Sequence, residues 1–209
     1  MLSYLPSLTH NVSIIENGTN LFKHKNRNLK KKQFNILILG SLTYKKGIDL
    51  FIEILPFLLD RINQVKIIGS GPEKQKLLDL TKKLSLESII KFIPFSNDLS
   101  KYIYDSDVGI VPSRWEGFGL VAVEMRSSGL PILISDTPGL YNIISDYNGV
   151  YSFKSESKES LKNSLSSLLD NLSNNKFDVK DLNSILEVYS KNSFIKKYDN
   201  FYENLAIKN

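Results

Sequence analysis

Two carboxylates eight residues apart, Glu116 and Glu124, flank the run Gly117-Phe118-Gly119-Leu120. The apolar residues before this stretch read as the end of a strand, and those after it as the opening of a helix. A glycine turn feeding a helix N-terminus offers unpaired N–H donors and the positive end of the helix dipole, which suits a phosphate. A carboxylate can accept hydrogen bonds from both hydroxyls of a diol, which suits a sugar. Phosphate beside sugar is the signature of a nucleotide sugar. Two other turns carry related groups: Gly40-Ser41-Leu42-Thr43-Tyr44-Lys45-Lys46-Gly47, with its paired cations, and Gly69-Ser70-Gly71-Pro72.

Bringing these turns together requires strands behind them. Residues 34–39 form a continuous apolar strand, save Asn35, that ends at Gly40. Residues 48–62 follow with apolar positions at helical spacing, and Pro56 inside the run is expected to kink or split the helix. The pattern then predicts a strand at 65–68, a helix at 73–84, a strand at 89–95 and a short helix at 97–104 capped by Asn97 or Asp98. A fourth strand at 108–111 leads into the Glu116 stretch, and the helix opening near Phe118 stops at Gly129, with Pro131 beyond. A strand at 132–134, a helix through 144 and an edge strand at 150–153 come next, and helices at 158–172, 179–189 and 193–205 close the chain. Ahead of all these, residues 12–15 read as a short strand and Asn17-Gly18 as a tight turn. The alternation predicts an α/β protein, a Rossmann-like doubly wound parallel sheet. Ligands of such sheets bind beyond the carboxyl ends of the strands, where every one of these turns falls.

Composition narrows the chemistry further. No apolar run approaches the roughly 18 residues of a membrane span, and the first residues lack the basic-then-apolar pattern of a secretory signal. Cysteine is absent, which excludes disulfides and thiolate chemistry and is compatible with a cytoplasmic protein. The two histidines, His10 and His24, lack a ligand set, so no metal is expected. The positive charge concentrates in Lys23, Lys25, Arg27, Lys30, Lys31 and Lys32. That cluster reads either as a solvated linker or as attraction to an anionic membrane surface, which would make the protein peripheral there. Nucleic acid is disfavoured, because Phe22 is the sole aromatic interleaved with these cations. The sequons at Asn11 and Asn17 are what chance produces in an Asn- and Ser-rich chain.

The order and spacing of these three turns and of Pro138-Gly139 after the fifth strand, and above all Glu116-Gly117-Phe118-Gly119-Leu120 followed by Glu124, resemble the C-terminal domain of the group-1 family of retaining glycosyltransferases with the GT-B fold. The resemblance runs from about Ile14 to the end of the chain. It implies that Glu116 is held near the transferred sugar, orienting hydroxyls and steadying charge at the anomeric carbon. It implies that Gly117, Phe118, Gly119 and Leu120 present backbone N–H groups to the sugar and diphosphate, and that Glu124 accepts from the ribose hydroxyls. Lys46 matches the lysine that neutralises the diphosphate leaving group, although Lys45 beside it competes for that role. Ser41 and Gly71 complete the donor-binding set. The implied cofactor list is empty: the donor is a nucleoside-diphosphate sugar, and no metal takes part. Phe118 also reads as a packing anchor, and Arg114 and Trp115 either line the cleft or shelter it.

Departures from the family pattern are specific. Ser41 stands where the family most often has Arg, Pro138-Gly139 replaces Gly-Gly, Asn142 replaces a glutamate, and Pro94 replaces a glycine. The family also carries a second, acceptor-binding domain. Residues 1–33 accordingly read as the crossover segment, 34–189 as the nucleotide-sugar domain, and 190–209 as a helix that packs on that other domain, leaving Phe194, Tyr198, Phe201 and Tyr202 partly exposed. The expected partners are a nucleotide-sugar donor, a glycan or lipid-linked acceptor and an acceptor domain on a separate chain. Two functions follow: the donor-binding half of a transferase, or a nucleotide-sugar-binding remnant or split-enzyme subunit. A dehydrogenase fits poorly, because no Gly-x-Gly-x-x-Gly follows the first strand.

Overall fold

The computed structural model describes residues 13–27, 29–174, 176–177 and 182–207. Val12, residues 179–181 and the first sequon therefore lie outside the described residues. Six strands form one parallel sheet in the order β3-β2-β1-β4-β5-β6. They are β1 (Phe34–Leu39), β2 (Ile62–Ile68), β3 (Ile90–Ile93), β4 (Val108–Val111), β5 (Ile132–Ser135) and β6 (Val150–Phe153). β1 is apolar on both faces because both faces are covered. Phe34, Ile36 and Ile38 enter one core, and Leu37 and Leu39 enter the other.

The first core is closed by α1 (Ile48–Ile54), α2 (Lys74–Lys83) and α6 (Lys158–Ser173). In α6, Leu161, Leu165, Leu168, Leu169 and Leu172 form a fully buried stripe at helical spacing, and the Ser157 hydroxyl accepts from the Ser160 N–H to fix its start. The second core is closed by α3 (Ser100–Tyr104), α4 (Leu120–Ser127), α5 (Pro138–Ile144) and α7 (Leu182–Tyr189). A last helix, α8 (Lys191–Ile207), leaves α7 through Ser190 and carries a row of aromatics, with Phe194 and Tyr198 centroids 4.8 Å apart and Tyr202 beyond them largely exposed.

The helical run expected over 48–62, with a kink or split at Pro56, is split there: α1 stops at Ile54. Pro56 has no N–H to offer the preceding turn, and the chain tightens into two 3-10 turns, Leu55–Phe57 and Leu59–Arg61, before β2 begins at Ile62. Leu55, Leu58 and Ile62 remain buried, so the apolar spacing reported burial and not helix. No strand forms over 13–15, and Asn17-Gly18 makes no turn. The backbone there finds partners at the α7–α8 junction instead of a strand edge: the Thr19 N–H donates to the Tyr189 carbonyl at 2.9 Å, and Thr19 bridges Ser190. β3 and α3 are shorter than expected, and the cap position of α3 is Leu99, not Asn97 or Asp98; Asp98 stands one residue further back and accepts from the Ser100 N–H at 3.0 Å.

Because α6 alone seals much of the first face, Leu165→Ala is expected to cost about 2–5 kcal/mol. Urea unfolding should show a lower midpoint with an unchanged slope.

Candidate active site

β1 and β4 lie side by side, with Ile36 opposite Val108 and Leu37 opposite Gly109. After β1 the chain builds outward to β2 and β3, and after β4 to β5 and β6. Strand order reverses here, and ligands of such sheets bind beyond the carboxyl ends of the strands at this point. The loop after β1 holds a single 3-10 turn, Tyr44–Lys46. The loop after β4 holds Glu116.

These loops meet at their charges. The Lys46 ammonium donates to Glu116 Oε1, and the Ser113 hydroxyl donates to the same oxygen at 2.9 Å. The Glu116 side chain is only 11% exposed, so this cation compensates a carboxylate that has left most of its water. Ser113 is held in turn, because the Ser135 hydroxyl at the end of β5 donates to the Ser113 carbonyl at 2.5 Å. Of the two lysines, Lys46 turns inward and Lys45 is exposed.

Beside this pair lies a cleft of about 510 Å³ lined by Gly40, Ser41, Gly69, Ser70, Phe95, Leu99, Val121 and Glu124. Ser41 therefore sits on the cleft wall. Gly71 does not line it, and packs on the Leu42 backbone, where a Cβ would come within 2.3 Å of the carbonyl oxygen. Glu124, one turn into α4, receives a hydrogen bond from the Thr19 hydroxyl of the segment preceding the sheet. Burial pushes the Glu124 carboxyl above its ordinary value, and the Thr19 bond offsets part of that rise.

Gly119 starts α4 in the left-handed region, φ 69°, with no side-chain cap, which leaves first-turn N–H groups to a ligand. Gly117 is exposed, and Leu120 opens the helix. The Phe118 ring turns away to stack edge-on against Tyr189, centroids 5.9 Å apart, so its side chain is an anchor. Gly139, the glycine kept from the family's pair, is required by a close approach, since a Cβ there would lie 1.9 Å from the Glu116 carbonyl oxygen, while Pro138 opens α5 where no N–H is needed. Arg114 does not line the cleft. Its guanidinium forms two bonds to Asp49, at 2.8 and 2.6 Å, and Trp115 is exposed against the edge of Tyr44.

Sequence reasoning missed Thr19, Ser113, Ser135 and the Arg114–Asp49 pair. Ser135 ends a buried apolar strand and Ser113 follows one by two residues, and a polar residue at either place is a readable signal. Thr19 carried none, because it is 105 positions from Glu124. The basic segment sits at the opposite rim, just before β1. Lys31 pairs with Asp107 at 2.6 Å, and Arg27 donates to the Ile103, Ser106 and Ser128 carbonyls, so much of that charge stitches the segment to the domain. Among the described residues no three His, Cys, Asp or Glu side chains converge as a metal would need.

The raised Glu124 pKa sets a sign. Above the ordinary carboxylate range and up through that raised value, the native chain holds a proton that the unfolded chain has lost, so this stabilising term fades as pH rises. Glu124→Gln should therefore raise the thermal midpoint at pH 7.5. The advantage should vanish below the ordinary carboxylate range, as scanning calorimetry across pH would read. Separately, Gly139→Ala should destabilise by about 1–3 kcal/mol through overpacking against the Glu116 loop.

Comparison with known proteins bears on the same residues. The family model for glycosyl transferases group 1 matches residues 20–180. An O-antigen biosynthesis glycosyltransferase, WclY of Escherichia coli, is 35% identical over 145 residues, which is 65% of this chain and 40% of WclY. The chain spans between 26% and 40% of the length of this and other curated relatives. Among solved structures, sucrose-phosphate synthase from Thermosynechococcus elongatus superposes with a TM-score of 0.82 at 20% identity, over 100% of this chain and 56% of that one. Anabaena HepE, solved with UDP and glucose, superposes with a TM-score of 0.77 at 18% identity, over 93% of this chain and 56% of that one. The fold is the Rossmann-like half of a GT-B structure, and the chain belongs to the group 1 glycosyltransferase family.

Proposed function

We propose that this chain is the donor-binding half of a retaining glycosyltransferase that moves a sugar from a nucleoside diphosphate to a glycan or lipid-linked acceptor. The observation that carries the reading is the meeting of Lys46 and Glu116 at the strand-order reversal, beside a cleft that Glu124 lines. The likeness to WclY, named for O-antigen biosynthesis, and to HepE, solved with UDP and glucose, supports the substrate classes.

In this reading the nucleoside occupies the cleft, with the ribose diol on Glu124 and the base toward Phe95 and Leu99. The diphosphate lies over the first turn of α4, where N–H groups and the helix dipole favour an anion. When the bond between the anomeric carbon and the phosphate oxygen breaks, negative charge grows on the leaving diphosphate. Lys46 neutralises it without a metal, because an ammonium has three donors and can hold Glu116 and a phosphate oxygen together. Glu116 orients the sugar and steadies the positive charge at the anomeric carbon. The acceptor is positioned by a second domain or chain, since one open cleft cannot by itself align two substrates. No helix of the described residues is long and apolar enough to cross a membrane. For a lipid-linked acceptor, contact with the membrane surface falls to faces near the cleft, because the basic segment lies at the other rim.

Calorimetric titration with UDP, GDP and ADP tests this reading. One of the three should bind, and absence of binding at millimolar nucleotide would defeat it. Glu124→Ala should weaken that binding by about 1–3 kcal/mol. Glu116→Gln should leave nucleotide affinity equal or tighter, because Lys46 loses a competing anion, while transfer in the complete enzyme is lost.

A further inference from the structure

The turn that presents Lys46 has no core packing of its own. It is three residues long, and none of Tyr44, Lys45 and Lys46 is buried. A lysine on such a turn has a long flexible stem and an unfixed base, a poor start for gripping a phosphate at one place. Yet the Arg114 side chain directly against it is only 5% exposed. Its guanidinium lies 3.9 Å over the Tyr44 ring, donates to the Tyr44 carbonyl at 2.7 Å and forks onto both oxygens of Asp49 in α1. Its own N–H donates to the Lys45 carbonyl at 2.8 Å. Arg114 thus grips the two residues that lead into Lys46, and from a position two residues before Glu116.

We propose that Arg114 is a positioning residue that fixes the Lys46 turn against the Glu116 loop, so that the site discriminates a nucleoside diphosphate from a monophosphate. This rests on the reading of Lys46 as the diphosphate cation. The planar fork is suited to the task because it satisfies a carboxylate, a carbonyl and an aromatic face at once, which a lysine ammonium cannot do in fixed geometry. Asp49 anchors the fork to α1, whose buried face belongs to the core, so the position of Lys46 is referred to the rigid sheet.

The test compares the diphosphate that wild type binds best among UDP, GDP and ADP with its own monophosphate, by calorimetry on wild type, Arg114→Met and Asp49→Asn. Wild type should prefer the diphosphate by about tenfold or more, the ratio expected of a charge-assisted hydrogen bond. In both variants the preference should collapse toward unity while monophosphate affinity stays within about twofold of wild type. Arg114→Lys should fail to restore it. Asp49→Asn is close to isosteric and keeps the test alive if Arg114→Met folds poorly. Retained preference in folded variants, or an equal fall for both nucleotides, would overturn the positioning role alone. Absence of preference in wild type would overturn the Lys46 reading and this one together.

Discussion

The pairing of Lys46 with Glu116 across the β1–β4 boundary is the interaction on which the rest of the site depends. Each partner sits on a loop that begins where a strand ends, and in the first loop Leu42 enters the core while the turn that carries Lys46 does not. Their opposite charges, the Ser113 hydroxyl and the Arg114 fork convert two separate loops into one surface. The cost of withdrawing Glu116 from water is met only while that cation and hydroxyl stay in place. The sheet supplies what the loops cannot. Parallel strands buried on both faces fix where β1 and β4 end, so the charges meet without a search.

A second constraint ties the site to parts of the chain distant in sequence. Thr19 reaches Glu124 from the segment ahead of the sheet, and its backbone is held by the junction of α7 and α8. Gly139 at the start of α5 lies on the Glu116 carbonyl. The proposed ribose and sugar ends of the cleft are therefore each braced by an element other than the one that carries the acidic residue. The aromatic row of α8 begins at the same junction that holds Thr19.

Much of this was legible in the residues, and the limits have physical causes. Strands with both faces buried announce themselves as apolar runs, so β1, β4 and β5 could be placed closely, and with them the loops they feed. Glycines and carboxylates after those runs marked the rim. Over 48–62 the same apolar signal ran on past the helix, because burial at Leu55, Leu58 and Ile62 does not require helix, whereas Pro56 marked where the helix is split. Contacts such as Thr19 with Glu124 or Arg114 with Asp49 arise only once the fold brings separate segments together, and no spacing rule anticipates them. The basic segment shows the reverse case. Its charge was conspicuous in the sequence, but Arg27 and Lys31 spend it on carbonyls and Asp107 at the rim opposite the cleft.

The most direct test of the central claim is a crystal structure of the chain with its preferred nucleoside diphosphate. The account predicts the ribose hydroxyls within hydrogen-bonding distance of Glu124 and the terminal phosphate beside Lys46, over the first turn of α4. A nucleotide seated instead at the Lys30–Lys32 rim, or one in the cleft with its phosphates turned away from Lys46, would contradict it.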